Sequence, residues 1–280
     1  MKSTGIQRFF KGLIPNVILI GFSITCIYPL IWLFYSSFKT KQEFNNNPIA
    51  LPQEITLENF QFILGKGQRL LTWMKNSFFN TIISLFFILL IGFIVGYFIA
   101  RVEFRGKKAV YTYFMFGILV PIHALMIPLY VLFAKLGITN QWFTLVLPYT
   151  AFGLPIVIFL VDSYVKSIPR DIEEAASIDG SSFLRTLFSI IFPMCVPILT
   201  TGGIIQFFSC WNEFSFALIL VDDQNLMTIP VGMTLLKGQY TTDYPRMMCS
   251  MFIAILPAAL IYFIFSKQII KGMVAGAVKG

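Results

Sequence analysis

Long apolar runs constrain this chain more than any other feature of its sequence. Hydrophobic residues make up 57% of its 280 residues and the mean hydropathy is +0.78, whereas soluble domains are only about 45–50% apolar. Six runs are close to the ~20 residues that a helix needs to cross a bilayer. They lie at about 13–36, 78–100, 110–133, 143–162, 192–219 and 247–266. We therefore predict an all-α polytopic membrane protein with six transmembrane helices.

Prolines and glycines occur inside several of these runs. They do not argue against helices, because neighbouring helices of a membrane bundle satisfy the backbone groups that a proline or a bend leaves free. We expect kinked helices around a pathway. The run at 192–219 is longer than a span needs, so we expect it to be tilted, or broken at Gly202-Gly203.

The positive-inside rule gives the expected orientation of the chain. Arg101, Arg105, Lys107 and Lys108 lie close together between the second and third runs, which places this connector in the cytoplasm. The alternation of spans then places both termini and the segment between the fourth and fifth runs on the same side. The +8 net charge is spread over the span ends, as anionic lipids favour. It forms no basic stripe for a nucleic acid.

The sequence offers little to a catalytic interpretation, and we predict no catalytic residue, metal ligand or cofactor in this chain. Its one histidine, His123, is expected to be an interior hydrogen-bonded residue of a span. The four cysteines form no C-x-x-C pair. Gly65-Lys66 lacks the other residues of a phosphate-binding loop, so any ATP must be bound by another subunit. Asp222-Asp223 could belong to a membrane transferase, but no second acidic motif accompanies it, and we interpret it as a solvated turn.

A polar segment at 168–180 interrupts the apolar pattern between the fourth and fifth runs. Its sequence is IPRDIEEAASIDG, in which a proline suits the first turn of a helix. The carboxylates of Asp171, Glu173 and Glu174 complement the positive end of the helix dipole. Gly180 is predicted to end the helix, because glycine adopts a left-handed cap at low cost.

The polar helix is predicted to present a low surface and to be followed by a second helix. Ala175 and Ala176 leave room for another helix or a groove, and Ser181 or Ser182 is expected to cap the second helix. An apolar stripe with helical spacing should anchor this second helix to the bundle. The stripe consists of Phe183, Leu184, Leu187, Phe188 and Ile191. Such a charged, capped hairpin suggests a docking site, but a structured loop without a partner would have the same features.

The residues of this hairpin resemble the EAA signature of importer-type ABC permeases. The match consists of Glu174-Ala175-Ala176, Gly180, Ile190 and Phe192-Pro193, and it departs from the signature only in Phe192, where leucine is usual. Four other stretches are similar to the carbohydrate-uptake branch of the family, in particular to the second permease of the maltose type. They are Trp73-Met74-Lys75-Asn76-Ser77, Ile178-Asp179-Gly180, Trp211-Asn212-Glu213-Phe214 and Gly276-Ala277-Val278-Lys279-Gly280. The resemblance covers nearly the whole chain.

The resemblance implies a type I ABC importer transmembrane domain in a bacterial cell membrane, with no catalysis in this chain. The hairpin would dock into a groove on a cytoplasmic ATPase. Its coupling residues would be Glu173, Glu174, Ala175, Ala176, Asp179 and Gly180, with Glu174 as the anchoring carboxylate. The implied partners are a homologous permease that completes a heterodimer, two ATPase subunits that bind ATP and Mg²⁺, and an extracellular solute-binding protein. The C-terminal Lys279 and Gly280 would reach toward the ATPases.

The resemblance also divides the chain. Residues 1–72 would hold an N-terminal cytoplasmic segment, the first span and an outer loop. Residues 73–267 would form the transmembrane core with its coupling hairpin at 168–192, and residues 268–280 a cytoplasmic tail.

Trp211, Asn212 and Glu213 support two interpretations. A carboxylate at the edge of a span usually faces a cavity or a partner, and a tryptophan beside polar groups suits a sugar in a pathway. A hydrogen-bond cluster between helices or subunits fits the same residues. The resemblance favours the second interpretation, because it implies that the partner permease supplies most sugar contacts.

We therefore expect a permease subunit of an ATP-driven, binding-protein-dependent importer of sugars, specifically oligosaccharides. This subunit would form half of the translocation pathway. The alternative is a secondary transporter or channel that works alone. Ion coupling in such a protein needs charge within the membrane, and only Asp162 and Glu213 lie near enough.

Overall fold

The computed structural model describes residues 5–65, 69–236 and 243–277, and the side chains of 15–65, 69–236 and 243–268. All regular structure in these ranges is helical. The helices before the hairpin are α1 (Gly5–Ser36), α2 (Lys41–Asn46), α3 (Glu58–Leu64), α4 (Leu70–Arg101), α5 (Lys107–Leu119), α6 (Ile122–Leu136) and α7 (Val146–Val165). Those that follow are α8 (Asp171–Ile178), α9 (Phe183–Arg185), α10 (Phe192–Trp211), α11 (Ser215–Leu220), α12 (Ile229–Gly232) and α13 (Tyr244–Ala277). A π-helical segment, Thr186–Ile191, joins α9 to α10, and a 3₁₀ turn, Met233–Leu236, follows α12.

Five continuous helical stretches are long and apolar enough to cross a membrane. They are Pro15–Ser36, Leu70–Arg101, Val146–Val165, Phe183–Trp211 and Tyr244–Gln268. A sixth span results if α5 and α6 are counted together. The prediction of an all-α polytopic membrane protein is therefore confirmed for the described residues.

The third apolar run, predicted as one span at 110–133, is sharply broken. The axes of α5 and α6 meet at 102°, and the two residues between them, Val120 and Pro121, have extended backbone angles. Proline disfavours the helical conformation in the residue before it, so Val120 leaves the helix. The kink expected from the sequence is a bend of slightly more than a right angle.

The expected break at Gly202-Gly203 is wrong, because both glycines lie inside the continuous helix α10. A Cβ at Gly202 would lie 3.4 Å from Cγ2 of Val157, and one at Gly203 would lie 3.4 Å from Cδ1 of Leu89. The small residues here allow close helix packing. The helix instead ends at Trp211, and the residues up to 219 belong mostly to the separate helix α11.

The described residues form two compact units. The first comprises parts of Met1–Leu70 and Met233–Leu256, and the second comprises parts of Leu71–Gly232 and Pro257–Gly280. The apolar side chains of α1 from 15 to 31 are exposed throughout, as contact with lipid or with another subunit requires. The last helix continues to Ala277, well beyond the predicted span end at 266.

A fully buried lysine, Lys39, forms hydrogen bonds that hold the segment after α1 in the first unit. Nζ of Lys39 donates to the carbonyl oxygens of Asn47 at 2.9 Å and Pro48 at 3.3 Å, and it lies 5.6 Å from the centre of the Tyr35 ring. Burial lowers the pKa of Lys39, and the nearby Glu43 carboxylate partly opposes this effect. The ammonium thus closes the loop over 47–48 through backbone carbonyls.

Helix α7 is central in the second unit, because it contacts both α5 and α10 and packs closely on α4. A Cβ at Gly92 would lie 2.6 Å from Cγ1 of Val157, and one at Gly96 would lie 2.8 Å from Cβ of Val161. Glycines four residues apart let two helix backbones approach closely, as in other membrane bundles. These two glycines bring α4 and α7 into direct contact.

Replacement of Gly96 by valine should therefore destabilise the protein by about 1–3 kcal/mol, because the new side chain overlaps Val161 and approaches the backbone oxygen of Ile158. Thermal unfolding of the detergent-purified protein measures the effect. The matched control is Gly21→Val, since Gly21 lies within α1 and has no atom within 4 Å of its Cβ position. Equal melting temperatures for the two variants would contradict the proposed close packing.

Candidate functional site

The polar segment forms the predicted hairpin of α8 and α9. Gly180 has φ +77°, the left-handed conformation expected of a helix-ending glycine. Its N–H donates to the carbonyl of Ser177 at 3.1 Å, and the N–H of Ser181 donates to the carbonyl of Ala176 at 2.9 Å. These two bonds are the Schellman pattern that satisfies the last carbonyls of a helix. The end of α8 is therefore fixed by its own backbone.

Glu173 ties the hairpin to the end of α4. Its Oε1 forms an ion pair with Nε of Arg101 at 2.6 Å, and its Oε2 accepts a hydrogen bond from the Tyr97 hydroxyl at 2.7 Å. Nη2 of Arg101 also donates to the carbonyl oxygen of Ile168 at 2.7 Å. Arg101 thus holds both the carboxylate of α8 and the backbone before α8. From the sequence, Arg101 indicated only the orientation of the chain, and Tyr97 had no predicted role.

The other predicted coupling residues divide between an outer and an inner face. Glu174, Ala175, Asp179 and Gly180 are exposed, whereas Ala176 is buried. The most exposed large apolar side chain of the hairpin is Ile178, at 86%. Ile178 belongs to one of the stretches that carry the family resemblance, but the sequence predicted no role for it. Residues three and four apart are neighbours on a helix, so Glu174, Ala175 and Ile178 form one outer surface, which we call the docking face.

The second helix of the hairpin is only partly as expected. Ser182 occupies the capping position of α9, but its side chain makes no capping hydrogen bond. Two residues of the apolar stripe, Leu187 and Ile191, are buried, as predicted for anchoring. The other three are exposed, and they are Phe183, Leu184 and Phe188. The π-helical segment that follows contains a wider turn, a feature often found at functional sites.

The two intramembrane carboxylates of the alternative interpretation both have partners within the chain. Oδ2 of Asp162 forms an ion pair with Nζ of Lys166 at 2.8 Å. Glu213 accepts hydrogen bonds from the backbone N–H groups of Phe216 and Ala217 at 2.7 and 3.2 Å. Its Oε2 also accepts from the Tyr149 hydroxyl at 3.0 Å. Glu213 therefore caps the start of α11.

The neighbours of Glu213 point in different directions. Trp211 is buried and stacks on Phe207, with ring centres 5.7 Å apart and planes at 14°. Asn212 is exposed. The three residues predicted as one pathway or interface group therefore do not converge on one site within this chain. Whether Asn212 contacts a sugar or a partner subunit stays a prediction.

The end of the second unit away from the hairpin is held by polar side chains of α4. Nε1 of Trp73 donates to the carbonyl of Gln224 at 2.9 Å, and Nδ2 of Asn76 donates to that of Asn225 at 2.7 Å. The hydroxyl of Ser77 accepts a hydrogen bond from the N–H of Ile229 at 2.8 Å. Asp222-Asp223 lies in the turn held here, where the backbone N–H groups of both residues donate to Asn140.

Three other predictions meet different outcomes. His123 is exposed at the start of α6, so the expectation of an interior position is wrong. The expected helix-ending role of Gly180 is confirmed. Lys279 and Gly280 lie outside the described residues.

A membrane-spanning helical bundle whose polar helix hairpin is fixed to the end of α4 defines a multi-pass membrane protein. The family model of the binding-protein-dependent transport system inner membrane component matches residues 88–269. The chain belongs to this family.

Relatives of the same length support the assignment. The chain is 32% identical to the sulfoquinovosyl glycerol transport system permease SmoH of Agrobacterium fabrum, with 99% of this chain and 98% of SmoH covered. It is 36% identical to the multiple sugar-binding transport system permease MsmG of Streptococcus mutans, with 99% of both chains covered. The fold resembles a chain of a bacterial ABC transporter that imports the acidic polysaccharide alginate. That match has a TM-score of 0.84 and 21% identity and covers 95% of this chain and 99% of the other.

Proposed function

We propose that this chain is one permease subunit of an ATP-driven importer of sugars, specifically oligosaccharides. In this proposal, the hairpin at 168–192 is moved by a separate ATPase subunit. The docking face carries this proposal, because it exposes a large apolar side chain, Ile178, beside a carboxylate on a short helix with a rigid end. Burial of this side chain in a groove of a partner protein would remove its apolar surface from water and so favour association. The names of SmoH and MsmG support a sugar as the substrate.

The proposed complex contains a homologous second permease, two cytoplasmic ATPase subunits that bind ATP and Mg²⁺, and an extracellular solute-binding protein. The exposed apolar surface of α1 supports contact with lipid or with another membrane subunit. The basic connector around Arg101, Arg105, Lys107 and Lys108 supports a cytoplasmic position for the hairpin and both termini. Lys279 and Gly280 are proposed to approach the ATPases.

In this proposal the chain transmits force and performs no chemistry. Ile178 binds in the groove of the ATPase, and a basic group of that groove pairs with Glu174. Closure of the ATPases on ATP moves the hairpin, and Arg101 passes the motion to α4 through Glu173. The ATPases then shift the equilibrium between the inward- and outward-facing states only by the difference between their contacts in the two states.

Replacement of Glu174 by alanine is expected to abolish uptake without destabilising the chain, because this exposed carboxylate is proposed to anchor the ATPase. Uptake into proteoliposomes and thermal unfolding measure the two effects. Glu103→Ala is the matched control, since Glu103 is a highly exposed carboxylate on the connector after α4 and lies outside α8. Normal uptake by Glu174→Ala would contradict its assigned role.

The proposed function is tested with the complete complex in proteoliposomes. Maltose, trehalose, arabinotriose and diacetylchitobiose are supplied with the solute-binding protein, with and without internal ATP. At least one sugar should accumulate, and only when both ATP and the binding protein are present. Sugar uptake by this chain alone, without any ATPase, would overturn the proposal in favour of a stand-alone transporter.

A further inference from the structure

A small cavity lies where the third span is broken. Its volume is about 230 Å³, and its wall includes Val120 at the break, Tyr149 and Phe152 of α7, and Gln206 of α10. The cavity is in the second unit, toward the end of α7 away from the hairpin. From Tyr149 to Val165, at 1.5 Å per residue, the distance along α7 is about 24 Å.

Gln206 is the unusual residue of this cavity. Its side chain is only 2% exposed, and its amide nitrogen has no hydrogen-bond partner in the part of the chain that the structure describes. A buried donor without a partner costs about 1–3 kcal/mol. Gly153 lies beside it, and a Cβ there would lie 2.9 Å from Oε1 of Gln206. The absence of a side chain at Gly153 therefore leaves room for the amide in the cavity wall.

The broken span is an independent second observation. Backbone that leaves the helix at membrane depth is tolerated where it is buried in protein or lines a polar cavity. Discontinuous helices form the substrate sites of several families of secondary transporters. The break at Val120-Pro121 lines this cavity, next to residues of α7 and α10.

We propose that this cavity is a subsite for one ring of the transported sugar, an inference that rests on the proposed function. The Gln206 amide both donates and accepts, so it suits the hydroxyls of a sugar. Ser209 adds a second polar group, while Phe152 and Phe216 offer apolar walls to the C–H face of the ring. Glu213 already accepts three hydrogen bonds from the protein, so the site suits a neutral ligand. At ~30 Å³ per water, the volume equals about seven or eight waters, which fits one ring and not a whole oligosaccharide.

The first test removes the amide. In the complete complex, Gln206→Leu and Gln206→Met should lower the number of sugar molecules imported per ATP hydrolysed about tenfold, the loss of one well-made hydrogen bond. ATP hydrolysis stimulated by the loaded binding protein should fall much less. The matched control is Thr201→Val, because Thr201 lies on the same helix outside the cavity and bonds only its own helix backbone. If Gln206 had only a structural role, its replacement would lower sugar uptake and ATP hydrolysis together.

The second test does not depend on a change at Gln206. Ser209→Cys and Thr201→Cys are labelled with a neutral maleimide, and every cysteine is quantified by peptide mass spectrometry. The imported member of the panel, maltose in the first trial, should slow labelling at Ser209→Cys several-fold and leave Thr201→Cys unchanged.

The outcomes separate the two proposals. If the unmodified complex imports a sugar but the Gln206 variants keep the normal sugar-to-ATP ratio, and Ser209→Cys is not protected, the subsite is refuted and the proposed function stands. If the Gln206 variants do not assemble into the complex, the labelling experiment decides the question of the subsite. Protection of Ser209→Cys by the sugar would then support the subsite, and absence of protection would refute it. If the unmodified complex imports no sugar with ATP and binding protein, the proposed function and the subsite both fail.

Discussion

Replacement of Gly180 by valine is expected to abolish sugar uptake while the chain still reaches the membrane. No atom lies within 4 Å of the Cβ position, so the cost comes from the backbone and not from a steric clash. A left-handed conformation costs about 1–2 kcal/mol for an ordinary L residue and more for a β-branched one. Relief of this strain would break the hydrogen bonds from Gly180 and Ser181 that end α8. The docking face would then point in another direction.

Two further variants make this prediction specific. Asparagine tolerates the left-handed conformation, so Gly180→Asn should retain a large part of the uptake. Gly137 ends α6 with φ +67° and also has open space around its Cβ position. Gly137→Val therefore introduces a similar strain away from the hairpin, and it should reduce stability without abolishing uptake. Uptake assays and immunoblots of membranes measure these effects. Full activity of Gly180→Val would refute the requirement for a fixed turn.

Replacement of Arg101 by methionine should both destabilise the protein and uncouple it. The side chains of Arg101 and Glu173 are 8% and 18% exposed, so the substitution leaves a largely buried carboxylate without its counter-charge. Breaking a buried pair from one side costs about 3–5 kcal/mol, and the partial exposure here places the expected cost near the lower figure. The carbonyl of Ile168 also loses its donor. ATP hydrolysis should continue while sugar uptake falls.

A double-mutant cycle tests the pairing itself. Glu173→Gln in the Arg101→Met background removes the unpaired charge and should recover part of the melting temperature, with a coupling energy of about 1–3 kcal/mol. The matched control is Lys107→Met, whose ion pair with the highly exposed Glu103 lies beside the same connector. Hydrogen bonding to Lys107 lowers the pKa of Glu103, but this pair is solvent-screened and its loss should not measurably change the melting temperature. Independent effects of the two substitutions in the cycle would exclude a direct contribution of the pair.

The sequence predicted best those features that depend on neighbouring residues in the chain. Gly180 was assigned as a helix end because its helix, its dipole-complementing carboxylates and its cap lie within twelve residues. The contact between Glu173 and Arg101 could not be predicted in the same way, since it joins residues 72 positions apart and depends on how α4 and α7 pack. The same limit applies to Tyr97.

The two largest errors have a common physical origin. The run at 192–219 was expected to be tilted, or broken at Gly202-Gly203, but Val157 and Leu89 pack beside these glycines and the helix continues through them. Pro121 was expected only to kink its span, whereas the chain bends by 102° there. Local preference gives the positions where a membrane helix can deviate, and tertiary packing decides whether it does.

The docking face and the cavity show what residue type alone leaves undecided. Glu213 suited a pathway or an interface from the sequence, and only its distances to the backbone N–H groups of α11 identify it as a helix cap. Ile178 looked like an ordinary apolar residue until its exposure was known. For Gln206, no pattern in the sequence distinguished a buried amide without a partner from a paired one.

The close contact of α4 with α7 has a mechanical consequence. At Gly92 and Gly96 the helices meet with no side chain of α4 between them, and at Gly153 the roles reverse as Ile88 of α4 lies against α7. Interfaces packed this tightly have little free volume and compress little under load. The two helices are therefore expected to move as one rigid unit, held by Arg101 at one end. In the proposed function, a displacement of the hairpin would then reach the far end of α7 without a relay of separate side-chain movements.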